Sequence, residues 1–356
     1  MARTFVVAAG GTGGHLFPGI AVADELVRRE GARVVFAGTP RGLESRLVPR
    51  SGHQLVLLPI LPLNGVGALR ALRGLLALPG GMLRAAALVR RLRPAAVLGV
   101  GGYAGGPVTL AAALLGVRTV ILEPNAKPGF TNRVLRPFVD VCACAYEEAR
   151  AEFGARGVLT GNPVRDGFAA LPQRAPALPV SLLVFGGSQG SRVLNDAVLE
   201  ALPGLPGPDE LRIVHQTGEA QRERVAEGYR RAGREAEVVA FLDDMPQRFA
   251  QADLVLSRSG ATTCAELTVA GKASLLVPFA LAADDHQRIN ARALQAQGAA
   301  LMIEEKELAS GRLAAELSAI LARPERLQAM AEAARALGRP DAAARVADLL
   351  AGERHA

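Results

Sequence analysis

The chain alternates short, uninterrupted apolar runs with longer stretches in which apolar residues recur at helical spacing. Brief runs that are apolar throughout fit strands buried on both faces, and the amphipathic stretches between them fit covering helices. The pattern predicts strands at Thr4–Ala9, Arg33–Ala37, Leu55–Leu58, Ala96–Val100 and Thr119–Glu123. It then restarts, with strands at Val180–Phe185, Arg212–Gln216, Glu237–Phe241, Asp253–Ser257 and Ala273–Val277. Helices are predicted at Pro18–Arg29, at Arg288–Gln297 and, as an amphipathic tail, across Pro324–Leu350. Gly161–Pro179, rich in Pro and Gly, reads as the linker between the halves. Such alternation predicts an α/β chain of two Rossmann-like, doubly wound parallel-sheet domains facing a shared cleft. The expected limits are 1–162 and 163–336, with the final helix, 337–356, packing back on the first domain.

Composition narrows this picture. A chain of 356 residues that is 50% hydrophobic, with 4% aromatics and no Trp, suits two Ala/Leu/Val-rich domains and excludes disorder. Cys142, Cys144 and Cys264 form no CxxC and lie near no His pair, so reduced structural thiols are expected. The net charge of +7 is uneven: residues 1–160 carry 19 Lys/Arg against 9 Asp/Glu, whereas the remainder carries 22 against 25. No acid occurs between Glu44 and Glu123, where nine arginines do, so the first half is expected to meet something anionic. No signal peptide is expected, because the first apolar stretch is short and runs straight into glycines. The long uncharged stretch Pro94–Val117 holds six interrupting Gly and Pro residues in its middle, and reads as strand, loop and helix rather than as a membrane span.

The chemistry sits in glycine-rich loops placed after strands. Gly10–His15 (GGTGGH) lets backbone N–H groups approach an anion, with a helix N-terminus behind it and one titratable side chain, His15, in the cradle. The alternative is a plain strand–helix turn with a capping His. Gly101–Pro107 (GGYAGGP) is a second loop, and Gly186–Ser191 (GGSQGS) a third that lacks the Lys of a P-loop. Gly99–Ala104 also fits a dinucleotide fingerprint, with Glu123 at about the right distance, but the loop Pro124–Gly129 is ill suited to a ribose clamp. Ser257–Glu266 follows a strand and opens a helix that Ser259 or Gly260 can cap, with Glu266 placed to accept ribose hydroxyls or simply to be solvated. Asp284–Gln287 offers polar groups suited to sugar hydroxyls, or an Asp N-cap. No DxD calls for a metal-bridged diphosphate. Leu61–Arg93 interleaves leucines with arginines and no acids, which suits an anionic membrane surface as well as an ordinary core helix. Nucleic acid is disfavoured by the near-absence of stacking aromatics.

Taken together, GGTGGHLFPG, GGYAGGP, EPNAKPG, GNPVR (Gly161–Arg165), GGSQGS, FLDDM (Phe241–Met245), SRSGATTCAE and DDHQ occur in an order and spacing that resemble the MurG family over the whole chain. That resemblance implies a GT-B fold and an inverting, metal-independent, cofactor-free N-acetylglucosaminyltransferase. It would convert peptidoglycan lipid I to lipid II, peripherally on the cytoplasmic membrane face. It implies His15 as the base, since a helix N-terminus favours the neutral ring. It implies donor UDP-N-acetylglucosamine contacts from Thr12, Gly13, Gly14, Asn125, Arg165, Ser188, Gln189, Leu242, Ala261, Thr262, Thr263, Glu266 and Gln287. The acceptor diphosphate would meet Gly13, Gly14, Gly102, Tyr103, Gly105 and Gly106, with no metal site. Pro124 stands where the family usually has Gln, a departure at one acceptor-side position. A related lipid glycosyltransferase, a UDP-N-acetylglucosamine 2-epimerase and a non-catalytic nucleotide-sugar module are the competing readings.

Overall fold

The computed structural model describes residues 2–10, 13–40, 42–59, 68–308 and 311–353; at 13, 68–78, 103 and 104 it describes the backbone alone. Thr12, and 61–67 of the basic–apolar segment, lie outside the described residues. The chain divides into two compact units, residues 1–166 with 339–356, and residues 167–338.

The first unit runs β1 (Thr4–Ala8), α1 (Gly13–Glu30), β2 (Arg33–Gly38), α2 (Glu44–Arg50), β3 (Gln54–Leu57), α3 (Ala68–Leu92), β4 (Ala96–Gly99), α4 (Gly102–Leu114), β5 (Arg118–Glu123), α5 (Phe130–Leu135), β6 (Val141–Cys144), α6 (Glu147–Phe153) and β7 (Gly157–Leu159). Its sheet is parallel in the order β3-β2-β1-β4-β5-β6-β7. Alternate residues of β1 serve opposite faces, as the two-residue period of a strand requires. Phe5 and Val7 pack with Leu26 and Phe36 on one side, while Val6 and Ala8 pack with Val89 and Ala112 on the other.

The second unit runs β8 (Val180–Phe185), α7 (Arg192–Ala201), β9 (Leu211–Gln216), α8 (Arg222–Arg231), β10 (Glu237–Val239), α9 (Met245–Gln251), β11 (Leu254–Ser257), α10 (Ala261–Ala270), β12 (Ala273–Leu276), α11 (His286–Ala296), β13 (Ala300–Met302), α12 (Glu305–Leu308), α13 (Arg312–Leu321) and α14 (Pro324–Leu337). Its parallel order is β10-β9-β8-β11-β12-β13. The chain then returns to the first unit as α15 (Ala342–Ala351), which packs on α1 and puts Val346 and Leu350 into that unit's core. Both sheets have the Rossmann-like order, and in such sheets ligands bind beyond the strand C-termini at the crossover point, here β1/β4 and β8/β11.

Several local expectations need correction. The first helix begins at Gly13, not Pro18, so His15 lies in its first turn. Residues Gly102–Pro107 are the opening of α4 rather than a loop. Helix α11 begins at His286 instead of Arg288, and β10 ends at Val239, two residues early. The strands β6, β7 and β13 have no counterpart in the hydrophobic pattern as read. All three cysteines are free and buried, and burial pushes the Cys142 thiol up to about 12. No described helix is long and apolar enough to cross a membrane.

Candidate active site

In the first unit, β1 and β4 deliver their chain ends side by side, and the glycines there are required by close backbone approach. A Cβ on Gly102, whose φ is +76°, would overlap the Gly10 carbonyl oxygen. One on Gly101, at φ +92°, would lie 2.8 Å from Cδ2 and 3.1 Å from Nε2 of His15. The imidazole therefore lies flush against bare backbone. Gly105 and Gly106 have a packing reason of their own: added Cβ atoms would sit 3.1 Å from the Ala8 carbonyl oxygen and 3.2 Å from Thr131 Cγ2. Gly13, Gly14, Gly102 and Tyr103 contribute first-turn amides of α1 and α4, positions whose N–H groups have no acceptor within their own helix.

Asn125 sits on the loop after β5, and Glu123 organises that loop. The buried Glu123 carboxylate accepts from Asn125 N at 3.0 Å, Asn125 Nδ2 at 3.3 Å, Gly129 N at 2.9 Å and Asn132 Nδ2 at 2.8 Å. Burial pushes its pKa up, and these hydrogen bonds oppose the shift. Glu123 is thus committed to the loop, which removes the ribose clamp that a dinucleotide reading needs. The Arg165 guanidinium lies 4.7 Å from the centre of the Phe17 ring, so it is placed by α1 within the first unit.

In the second unit, the GGSQGS segment is a turn closed by Gly190 N donating to Gly187 O at 2.9 Å. Ser188 and Gln189 are exposed at its tip. Ser191 caps α7, its Oγ accepting from Leu194 N at 3.3 Å. The turn is seated on the end of β9: a Cβ on Gly190 would overlap the Thr217 carbonyl oxygen, and one on Gly218 would overlap that of Gln189. The next loop, after β10, carries Leu242, which is buried while its neighbour Phe241 is half-exposed.

Helix α10 is capped by Gly260 without a side chain; Ser259 instead donates its hydroxyl to the Gln287 carbonyl at 2.8 Å. Ala261, Thr262 and Thr263 present first-turn amides, and Glu266 is buried in the following turn. The Gln287 side chain accepts from Phe279 N at 3.0 Å. Asp285 stands at the N-cap position of α11 but makes no side-chain capping hydrogen bond, pairing with Arg288 instead.

One residue of this cluster was missed by the sequence reading. Arg258 is 9% exposed and donates to Ser191 Oγ at 2.8 Å, to Val277 O at 3.1 Å and to Pro278 O at 3.2 Å. It also pairs with Glu305 at 2.5 Å. Burial lowers its pKa and Glu305 opposes that, but a guanidinium stays charged in a protein. A buried arginine, ion-paired with Glu305, thus links the starts of α7 and α10. The only signal in the sequence was an arginine in an otherwise small and apolar strand end.

Two family models match. The glycosyltransferase family 28 N-terminal domain covers residues 5–143 and its C-terminal domain covers 181–346. A curated relative from Myxococcus xanthus is 50% identical over 351 residues, 97% of this chain and 91% of its own. It is named UDP-N-acetylglucosamine–N-acetylmuramyl-(pentapeptide) pyrophosphoryl-undecaprenol N-acetylglucosamine transferase. The crystal structure of Acinetobacter baumannii MurG aligns with a TM-score of 0.83 at 32% identity, over 98% of this chain and 99% of that one. A Neisseria meningitidis UDP-GlcNAc 2-epimerase bound to UDP-GlcNAc aligns with a TM-score of 0.68 over 99% and 100% of the two chains, but at 13% identity it speaks to the fold alone. Matched in both halves by one family's models, and by a relative at half identity over nearly its whole length, the chain belongs to glycosyltransferase family 28.

Proposed function

We propose that this protein transfers N-acetylglucosamine from UDP-N-acetylglucosamine to the 4-hydroxyl of the N-acetylmuramoyl unit of undecaprenyl-linked lipid I, forming lipid II in peptidoglycan synthesis. The observation that carries the donor half of this reading is the β8/β11 crossover. There the starts of α7 and α10 lie on either side of the crossover and are joined through the Arg258–Ser191 hydrogen bond. That is the electrostatic setting a diphosphate needs. Ser188 and Gln189 face the diphosphate, the amides of 261–263 complete its cradle, Glu266 takes the ribose, Leu242 backbone takes the uracil, and Gln287 addresses the donor sugar. In the first unit the amides of Gly13, Gly14, Gly102 and Tyr103 hold the acceptor diphosphate.

The acceptor hydroxyl attacks the anomeric carbon from the face opposite the leaving group. His15 takes the hydroxyl proton as the new C–O bond forms. The bond from the anomeric carbon to the phosphate oxygen breaks, and UDP leaves with that electron pair, inverting the configuration. The growing negative charge on the diphosphate is met by the helix-start amides that Arg258 holds in place, a preorganised environment that needs no reorganisation during the step. With a lipid I analogue, UDP release is expected to be acceptor-dependent and unchanged by EDTA. Glu266→Ala is expected to raise the KM for UDP-N-acetylglucosamine about tenfold or more, through loss of hydrogen bonds to a carboxylate. UDP release that EDTA abolishes, or that proceeds without acceptor, would sink the metal-free transferase reading. An epimerase would interconvert the free nucleotide sugar with no lipid acceptor.

The protein works peripherally on the cytoplasmic face of the membrane. Leu83 on α3 is 72% exposed and Leu114 on α4 is 67% exposed, and Phe130, Val134 and Phe138 are exposed on or just after α5. The helices α3, α4 and α5 pack in sequence, and Arg84, Arg90, Arg91, Arg133 and Arg136 are exposed on or beside them. Exposed apolar side chains interspersed with exposed arginines suit an anionic lipid surface. The segment marked out in the sequence was 61–93; its side chains from 79 onward contribute, and α4 and α5 extend it. Binding to anionic vesicles is expected to fall about tenfold or more in Leu83→Glu/Phe138→Glu, because each buried side chain of this size is worth about 1.5–3 kcal/mol. Unchanged cosedimentation at low salt would remove this face from the membrane contact.

A further inference from the structure

Behind the GGSQGS turn, and out of reach of any ligand, lies a polar chain that none of the motifs marks. Asn195 of α7, His215 of β9 and Tyr229 of α8 are fully or almost fully buried, at 0%, 0% and 2% exposure. Tyr229 OH and His215 Nδ1 are 3.1 Å apart, His215 Nε2 and Asn195 Oδ1 are 3.1 Å apart, and Asn195 Nδ2 donates to the Thr217 carbonyl at 3.0 Å. The direction of every bond follows from its last member. The Thr217 carbonyl can only accept, so the Asn195 amide donates there and its Oδ1 accepts. His215 Nε2 therefore carries the proton, and Nδ1 accepts from the tyrosine hydroxyl. The ring is held neutral, since burial pushes its pKa down to about 3. The chain ends on the carbonyl against which Gly190 is seated, and the next residue, Gly218, is seated against Gln189.

We propose that Asn195 and His215 are positioning residues for the donor: the chain Tyr229–His215–Asn195 holds the Thr217–Gly218 backbone as the seat on which the GGSQGS turn takes its diphosphate-binding shape. This rests on the donor assignment of that turn made above. A buried polar chain suits this task because each member is paired only in one arrangement, and leaving any one of them unpaired is costly. Gln216 adds a second tie to the same turn, its Nε2 donating to Gly187 O at 3.1 Å and to Ala240 O at 3.2 Å.

The test compares His215→Leu with His215→Gln, in which the amide can again donate to Asn195. Steady-state kinetics with UDP-N-acetylglucosamine and a lipid I analogue are combined with hydrogen exchange of the 187–190 and 217–218 amides. In His215→Leu the donor KM is expected to rise about tenfold, with the acceptor KM within about twofold and the turn amides exchanging faster, the change a single lost hydrogen bond supports. His215→Gln is expected to recover most of both. Should His215→Leu not fold, Asn195→Ala carries the same comparison, because it leaves His215 and Tyr229 paired with each other. A lower melting temperature with unchanged turn exchange and unchanged donor KM overturns the proposal, as does an equal rise in both KM values. Faster turn exchange with an unchanged donor KM has two meanings, separated by Gln189→Ala. If that variant raises the donor KM, the positioning proposal fails. If it does not, the donor assignment of the turn fails while the seat itself stands.

Discussion

Replacing His15 with alanine is expected to lower kcat by about 10²–10⁴-fold while leaving the KM for UDP-N-acetylglucosamine nearly unchanged, the range that general-base assistance supplies. The expectation rests on geometry. His15 is held in the first turn of α1, with its ring against Gly101, where any side chain would displace it. A base so confined has lost its freedom before the substrate arrives, which is what makes its proton transfer effective. Single-turnover measurements on a preformed ternary complex are the direct check. A loss of less than about tenfold, with the fold intact, lies below the general-base range and reassigns the imidazole to holding the acceptor.

Gly190→Ala is expected to lower kcat/KM for the donor by about 10²-fold or more, as a displacement on the order of 1 Å at a reacting centre can do. Gly190 has φ +72°, and its Cβ would overlap the Thr217 carbonyl oxygen, backbone that has no rotamer to yield. The turn must therefore lift off its seat. Gly187 is the matched control: it also has a positive φ, +93°, but its Cβ would meet nothing within 4 Å. Gly187→Ala pays the backbone strain alone, so its loss of donor use is expected to be far smaller. Equal losses in the two variants would mean that strain, not seating, governs the turn.

Strands such as β1 and β8 were legible because both of their faces are buried, which forces an unbroken apolar run. The strands β6, β7 and β13, of three or four residues, went unmarked, although β10, as short as β7 and β13, was found. The start of α1 was misplaced because glycines weigh against a helix locally, whereas the packing of Gly101 and Gly102 on Gly10 and His15 favours one. Glycine motifs marked both crossover points, since close backbone approach has a simple signature in residue type. Arg258 and the Tyr229–His215–Asn195 chain left no such trace: each is assembled from segments far apart in sequence, and a buried polar residue looks like any other until its partners are known.

The return of α15 to the first unit sets the order in which the protein can be made. The second unit, residues 167–338, is one uninterrupted stretch and can close its core as soon as it has left the ribosome. The first unit begins emerging earlier, but Val346 and Leu350 complete its core, Arg29 of α1 pairs with Asp348 at 2.6 Å, and Arg118 of β5 donates to the Leu349 carbonyl at 2.7 Å. The helix that carries His15 therefore lacks its backing until the residues of α15 have been translated. The unit begun first is finished last, and a ribosome stalled before residue 339 holds a folded second unit tethered to a first one whose apolar flank is still open to chaperones.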